Sequence, residues 1–126
     1  MQEKVKYYRC PVCGNIIEVI VGDVNRVRCC GKELELLIAN TVDAAFEKHV
    51  PVYKRDNNDI IVQVGEVIHP MEDKHYIMWI SMVTSDKVIK INLRPGDEPS
   101  VRLPYVSGAI IYEYCNLHGL WKNTVD

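Results

Sequence analysis

The sequence predicts an all-β protein in two parts, a small cysteine-rich metal domain over residues 1–37 and a β-sandwich or barrel over residues 38–126. Three observations predict it. Four of the five cysteines, Cys10, Cys13, Cys29 and Cys30, fall within the first 30 residues. Past residue 58, short runs of β-branched and aromatic residues alternate with turn signals at close intervals, the pattern of many short strands. The four histidines and Cys115 all lie in the second part, and the histidines sit at the edges of its elements.

The elements follow in order. Residues 5–10, VKYYRC, and 16–22, IIEVIVG, read as short strands around the Cys10–Cys13 turn. Residues 27–37, VRCCGKELELL, return with the second cysteine pair. Below about 40 residues a domain needs a metal, a disulfide or a partner chain, because it cannot bury enough apolar surface. The four cysteines are the natural staple. NTVDAAFEKH, residues 40–49, starts as a helical turn that Pro51 soon limits. Strands are expected within 59–69, 75–86, 87–96, 100–105 and 108–115, separated by DNND, TSDK and RPGDEP. Such a series closes as a sandwich or a barrel. The join between the parts is expected between residues 37 and 42.

Composition narrows the function. A net charge of −2 and a pI near 6.1 argue against a nucleic-acid partner, which calls for a basic stripe. No apolar run approaches the roughly 20 residues that span a bilayer. The charged start, MQEKVKYYRC, has no apolar signal region, so a soluble cytoplasmic protein is expected. In a reducing compartment clustered thiols bind metal or do redox work more often than they pair. The odd cysteine count fits a disulfide framework poorly, and adjacent Cys29 and Cys30 would form only a strained bridge.

The sulfur cluster reads C-x2-C, fifteen intervening residues, then C-C, with Gly14 and Gly31 directly after the pairs. Four thiolates suit tetrahedral zinc or iron, and spacing leaves that choice open. Glycine lets the backbone turn so that amide N–H groups point at sulfur. The adjacent second pair restricts the S–metal–S angle and distorts the tetrahedron.

The second set is His49, His69, His75, Cys115 and His118. A single histidine in a β protein is most often a packed or surface residue, and a single free cysteine a small buried hydrophobe. The set says more than its members, because side chains from different loops can converge on one ion. Alternation places Ala109, Ile111, Glu113 and Cys115 on one strand face, where Glu113 interrupts the apolar pattern. Four neutral imidazoles and one thiolate are too many ligands for structural zinc. They leave one octahedral position open to a small diatomic, and a thiolate opposite it would push electron density toward that molecule.

In order along the chain, CPVCG, CCGKEL, EKHVP, HPM, KHYI and YCNLHGLW resemble desulfoferrodoxin, the two-iron class of superoxide reductase. The resemblance runs over essentially the whole chain, with no ligand missing. It implies a desulforedoxin-like, rubredoxin-like N-terminal domain joined to an immunoglobulin-like β-sandwich, as a homodimer. It implies two iron ions: the first held by Cys10, Cys13, Cys29 and Cys30, the second by His49, His69, His75 and His118 around it and Cys115 on its axis. Superoxide is then the substrate, hydrogen peroxide the product and a rubredoxin the electron donor. Lys48 would attract the superoxide anion and organise proton delivery, and Glu47 would occupy the open position of the resting ferric site. The alternative is a non-catalytic iron module that carries electrons or senses redox state or nitric oxide. No basic DNA-reading segment or output domain accompanies it.

Overall fold

The structure, a computed structural model, describes residues 5–42 and 44–126. The chain divides into two compact units, Met1–Ile38 and Ala39–Asp126.

The smaller unit is built from β1 (Lys6–Arg9), β2 (Ile16–Val19), β3 (Arg28–Cys29), β4 (Lys32–Glu33) and β5 (Glu35–Leu36). An antiparallel sheet runs in the order β2-β1-β5, and β3 and β4 form a separate hairpin. The β1–β2 register pairs Arg9 with Ile16, so the CPVC stretch is the hairpin loop itself. That loop is closed by Cys10 N–H to Asn15 O at 2.9 Å and Gly14 N–H to Cys10 O at 3.0 Å. The second hairpin turns over only two residues, Cys30 (φ 52°) and Gly31 (φ 71°), between the paired Cys29 and Lys32. Two successive left-handed residues make the twisted two-residue turn that hairpins prefer. The adjacent cysteines therefore sit at a strand end and on the turn beside it. Val5, Tyr7, Cys10 and Leu34 are the buried apolar residues here, a core too small to hold a fold by burial alone. The strand expected over 16–22 stops at Val19, and Ile20 and Val21 beyond it are 86% and 91% exposed.

Among the described residues the larger unit contains the single turn α1 (Phe46–His49) and seven strands: β6 (Pro51–Asp56), β7 (Asp59–Val64), β8 (Ile77–Val83), β9 (Val88–Asn92), β10 (Ser100–Pro104), β11 (Ile110–Cys115) and β12 (Gly119–Thr124). They form two antiparallel sheets, ordered β10-β7-β6 and β12-β11-β8-β9. One core joins them: Ile60, Val62, Val64 and Leu103 from the first sheet pack with Ile77, Ile80, Met82, Ile111 and Cys115 from the second. Seven strands in two facing sheets is the constant-type immunoglobulin architecture. This is the sandwich alternative that strand spacing had left beside a barrel.

Two strands go beyond the sequence expectation. β6 is a charged edge strand, with Lys54 and Arg55 exposed, and it opens on Pro51, which an edge or first position tolerates. β12 begins at Gly119 (φ 84°) directly after the last histidine. Among the described residues no helix is long and apolar enough to cross a membrane.

Candidate metal centres

The four N-terminal cysteines converge: their sulfur atoms all lie within 4.8 Å of one another. Cys13 Sγ and Cys29 Sγ are 3.5 Å apart. Backbone N–H groups of Val12 and Cys13 donate to Cys10 Sγ at 3.4 and 3.5 Å, and the Asn15 amide donates to Cys29 Sγ at 3.8 Å. The Cys13 N–H bond, the largest influence, pulls the Cys10 thiol down to about 6. The neighbouring thiols push Cys29 up to about 12 and Cys30 upward. Four sulfurs this close cannot all ionise unless a cation shares the negative charge. A metal ion supplies that charge, and binding it is coupled to losing the thiol protons.

The second group draws its five residues from four places. His49 ends α1, His69 and His75 lie between β7 and β8, Cys115 ends β11, and His118 lies in the loop before β12. Their ligand atoms also lie within 4.8 Å of one another. Each imidazole stands nearly perpendicular to its two neighbours: His49 to His69 (73°), His69 to His75 (78°), His75 to His118 (74°) and His118 to His49 (77°). The rings form a closed square around one point.

Hydrogen bonds decide which nitrogen faces that point. His49 Nδ1–H donates to Ala45 O at 2.8 Å, and His69 Nδ1–H donates to Pro70 O at 2.7 Å. Both therefore turn the lone pair of Nε2 inward, where the two Nε2 atoms are 3.2 Å apart. His118 faces inward through Nδ1, which lies 3.0 Å from His49 Nε2 and 3.7 Å from Cys115 Sγ. His75 Nε2 is buried and has no hydrogen-bond partner among the described residues. An unpartnered buried nitrogen is costly unless something else occupies its lone pair, and a cation at the centre does so. The donor set fits a metal ion.

Burial pushes His49 and His75 below their ordinary range and His69 down to about 4, so these three imidazoles stand neutral, the state that binds metal. Burial pushes the Cys115 thiol up, and the nearby Glu113 carboxyl adds to that. Only a bound cation would hold Cys115 as a thiolate in this setting.

Glu47 and Lys48 occupy the same turn as His49, and both are exposed. Lys48 N–H donates to Ala45 O at 3.2 Å, the carbonyl that also receives His49 Nδ1–H.

Several supporting residues escaped the sequence reading. Asn116 Oδ1 accepts Tyr76 N–H at 2.9 Å, and its amide donates to Lys74 O at 3.0 Å, so it ties the His75 loop to the Cys115–His118 loop. Trp121 packs on His49 and donates its indole N–H to His118 O at 3.0 Å. Met71 Sδ accepts Ile77 N–H at 3.3 Å beside His75. The only signal for Asn116 was its place between two ligands. Glu113, which interrupted an apolar alternation, proves fully buried, and neither carboxyl oxygen has a hydrogen-bond partner among the described residues.

A cysteine-only metal module preceding an immunoglobulin-like sandwich with a ring of four histidines and one cysteine defines a protein with two metal centres. The desulfoferrodoxin family model matches residues 41–124, and that of the desulfoferrodoxin N-terminal domain matches residues 2–37. The chain is 51% identical over 124 residues to the desulfoferrodoxin of Syntrophotalea carbinolica, covering 98% of each. The crystal structure of the superoxide reductase from Treponema pallidum superposes with a TM-score of 0.74 at 29% identity, over 97% of this chain and 100% of that one. The superoxide reductase (1Fe-SOR) from Giardia intestinalis superposes with a TM-score of 0.55 at 30% identity, over 64% of this chain and 98% of that one. This chain belongs to the desulfoferrodoxin family. Its cofactors are two iron ions, one Fe(Cys)4 and one Fe(His)4(Cys).

Proposed function

We propose that this protein is a superoxide reductase, acting at the centre in the larger unit. The observation that carries the reading is the closed ring of His49, His69, His75 and His118 with Cys115 against it. Those five residues are the ligands, and Cys10, Cys13, Cys29 and Cys30 hold the other iron. When bound, the catalytic iron supplies one electron to superoxide, which with two protons becomes hydrogen peroxide.

The chain's own groups do the rest. Burial holds three of the imidazoles neutral, and two carbonyl bonds fix the orientation of His49 and His69, which keeps the ring ready for metal without reorganisation. The buried sulfur of Cys115 enters from the core side, and the exposed turn before His49 offers Lys48 and Glu47 to solvent. The Lys48 ammonium draws the superoxide anion in and orders the water that delivers protons. The Glu47 carboxylate would be the group that fills the substrate's place at the iron in the resting protein and gives it up to superoxide.

Residues 1–37 serve as the Fe(Cys)4 domain and residues 38–126 as the catalytic domain. The electron donor is a rubredoxin-like protein, and the compartment is the cytoplasm, where thiolate ligands stay reduced. Exposed Ile20 and Val21 are apolar surface suited to a second copy in a homodimer.

A pulse of superoxide into the anaerobically reduced, iron-loaded protein tests the activity. One peroxide per superoxide with no dioxygen is expected. Matching dioxygen would mean dismutation, and no accelerated loss would overturn the reading.

A further inference from the structure

The turn that carries Glu47, Lys48 and His49 has little to hold it from within. It is a single turn, Phe46–His49, with Ala45 at its start and no side-chain cap. What fixes it lies across from it, in the loop after β7. Gly65 N–H donates to Val50 O at 3.2 Å, and Val67 N–H donates to Glu47 O at 3.0 Å. Gln63 Nε2 donates to Gly65 O at 3.0 Å and braces the loop from its own strand.

Between these bonds Gly65 is buried against the turn's backbone. A Cβ added there would stand 2.7 Å from Glu47 O, from Lys48 C and from Lys48 O. All three are main-chain atoms and cannot swing aside as a flexible side chain does. Gly65 also has φ +78°, a left-handed conformation that costs residues with a Cβ. Any other residue must therefore push away the peptides that carry Glu47 and Lys48.

We propose that Gly65 is a positioning residue for the reaction: its missing side chain lets residues 65–67 seat directly against the Glu47–Lys48 backbone, and that seat sets where both side chains stand beside the catalytic iron. The inference rests on the roles proposed above for Glu47 and Lys48. It assigns the geometry of that pair to a residue that touches neither substrate nor metal.

The test compares iron-loaded Gly65→Ala with Gly96→Ala. Gly96 also has a left-handed φ, +91°, but nothing lies within 4 Å of the position of its Cβ. Gly96→Ala therefore carries the backbone strain without the collision. Two readouts are followed: the ferric thiolate-to-iron absorption, which reports Glu47 at the open position, and the ionic-strength dependence of the encounter with superoxide, which reports Lys48.

With iron retained, Gly65→Ala should move the absorption toward that of Glu47→Ala and flatten the salt dependence toward that of Lys48→Ile. Adding Glu47→Ala to Gly65→Ala should then shift the band no further. Gly96→Ala should leave both readouts at their native values. Should Gly65→Ala fail to fold, Gln63→Leu removes the amide that braces Gly65 O without adding the collision, and the same two shifts, smaller in size, are expected. Native absorption and native salt dependence in the folded variants would overturn the positioning role. Failure of the underlying reading is seen separately: Glu47→Ala and Lys48→Ile would then be silent in the otherwise native protein, and the inference would fall with it.

Discussion

Trp121 lies nearly flat against His49, with ring centroids 5.0 Å apart and an interplanar angle of 22°, and it is fully buried. Its other face and edge are also engaged. Phe46 meets it edge-on at 5.1 Å, and its N–H is bonded to the carbonyl of His118. One indole thus braces two imidazoles of the ring, one through its face and one through the backbone.

This bracing makes two substitutions at Trp121 separable. Trp121→Phe keeps an aromatic face for His49 and loses the bond to His118 O, a cost of about 1 kcal/mol. Trp121→Ala opens a large cavity and should cost about 3–5 kcal/mol. Iron content after purification and thermal melting check this. The Phe variant should hold near-stoichiometric catalytic iron, and the Ala variant should lose most of it. Equal iron content in both would show that the stacking does not hold the ring.

Asn116 supports a second prediction. Its amide spans two loops, and its own N–H donates to Tyr76 O at 3.2 Å. Asn116→Ala leaves Tyr76 N–H without its acceptor, costing about 1–3 kcal/mol. Partners that orient ligands typically matter by about 10–100-fold in metal affinity. Competition against a chelator should show iron leaving Asn116→Ala faster than native protein, with Asn116→Asp between them because it keeps the acceptor for Tyr76 N–H. Identical loss rates in Asn116→Ala and native protein would remove this residue from the support of the site.

How far the sequence carried the reading depends on what each residue interacts with. The cysteine pairs were legible because close spacing along the chain forces closeness in space, and the glycines after them marked the turns. The strands from 59 onward were legible from composition and turn residues. β6 and β12 were not: Lys54 and Arg55 hide an edge strand, and β12 is the edge strand beside β11, with Gly119 and Asn123 in it. The resemblance named all nine residues that gather into the two clusters, whereas composition alone offered only a set of histidines at element edges. Trp121, Asn116 and Gly65 each depend on contacts with residues from other elements, such as His49, Tyr76 and Glu47. No local pattern in one sequence carries that information.

Glu113 is the clearest conflict between pattern and structure. It lies on β11 between Ile80 and Trp121 in register, wholly buried, with neither oxygen paired. Burial raises its carboxyl well above the ordinary range. A raised acid favours the protonated form in the folded state. Its contribution is fully present below the unfolded pKa, about 4.3, and is lost as pH rises toward the folded one. Glu113→Leu should therefore stabilise the protein at neutral pH by about 1–3 kcal/mol, the desolvation cost of an unpaired buried group. It should also flatten the fall in melting temperature above pH 4.3. A Leu variant that melts below native protein at pH 7 would mean that the carboxyl has a stabilising partner.

The histidine ring predicts the opposite pH dependence, and it appears when iron is removed. Burial holds His69 down to about 4 and lowers His49 and His75, so the folded state prefers neutral imidazoles. A group with a depressed folded pKa gives stability that is present above the unfolded value, about 6.5 for histidine, and is lost as pH falls toward the folded value. The iron-free protein should melt at lower temperature as pH drops from about 6.5 toward about 4. Iron-loaded protein should resist this until protons displace the metal, because bound imidazoles have no lone pair left to protonate. Parallel melting curves of both forms across that window decide it, with Glu113→Leu as the background that removes the opposing carboxyl. The iron-free curve should bend downward with acid while the loaded curve stays level and then collapses as iron is released. A flat iron-free curve would mean that the four rings open to solvent once the metal has gone.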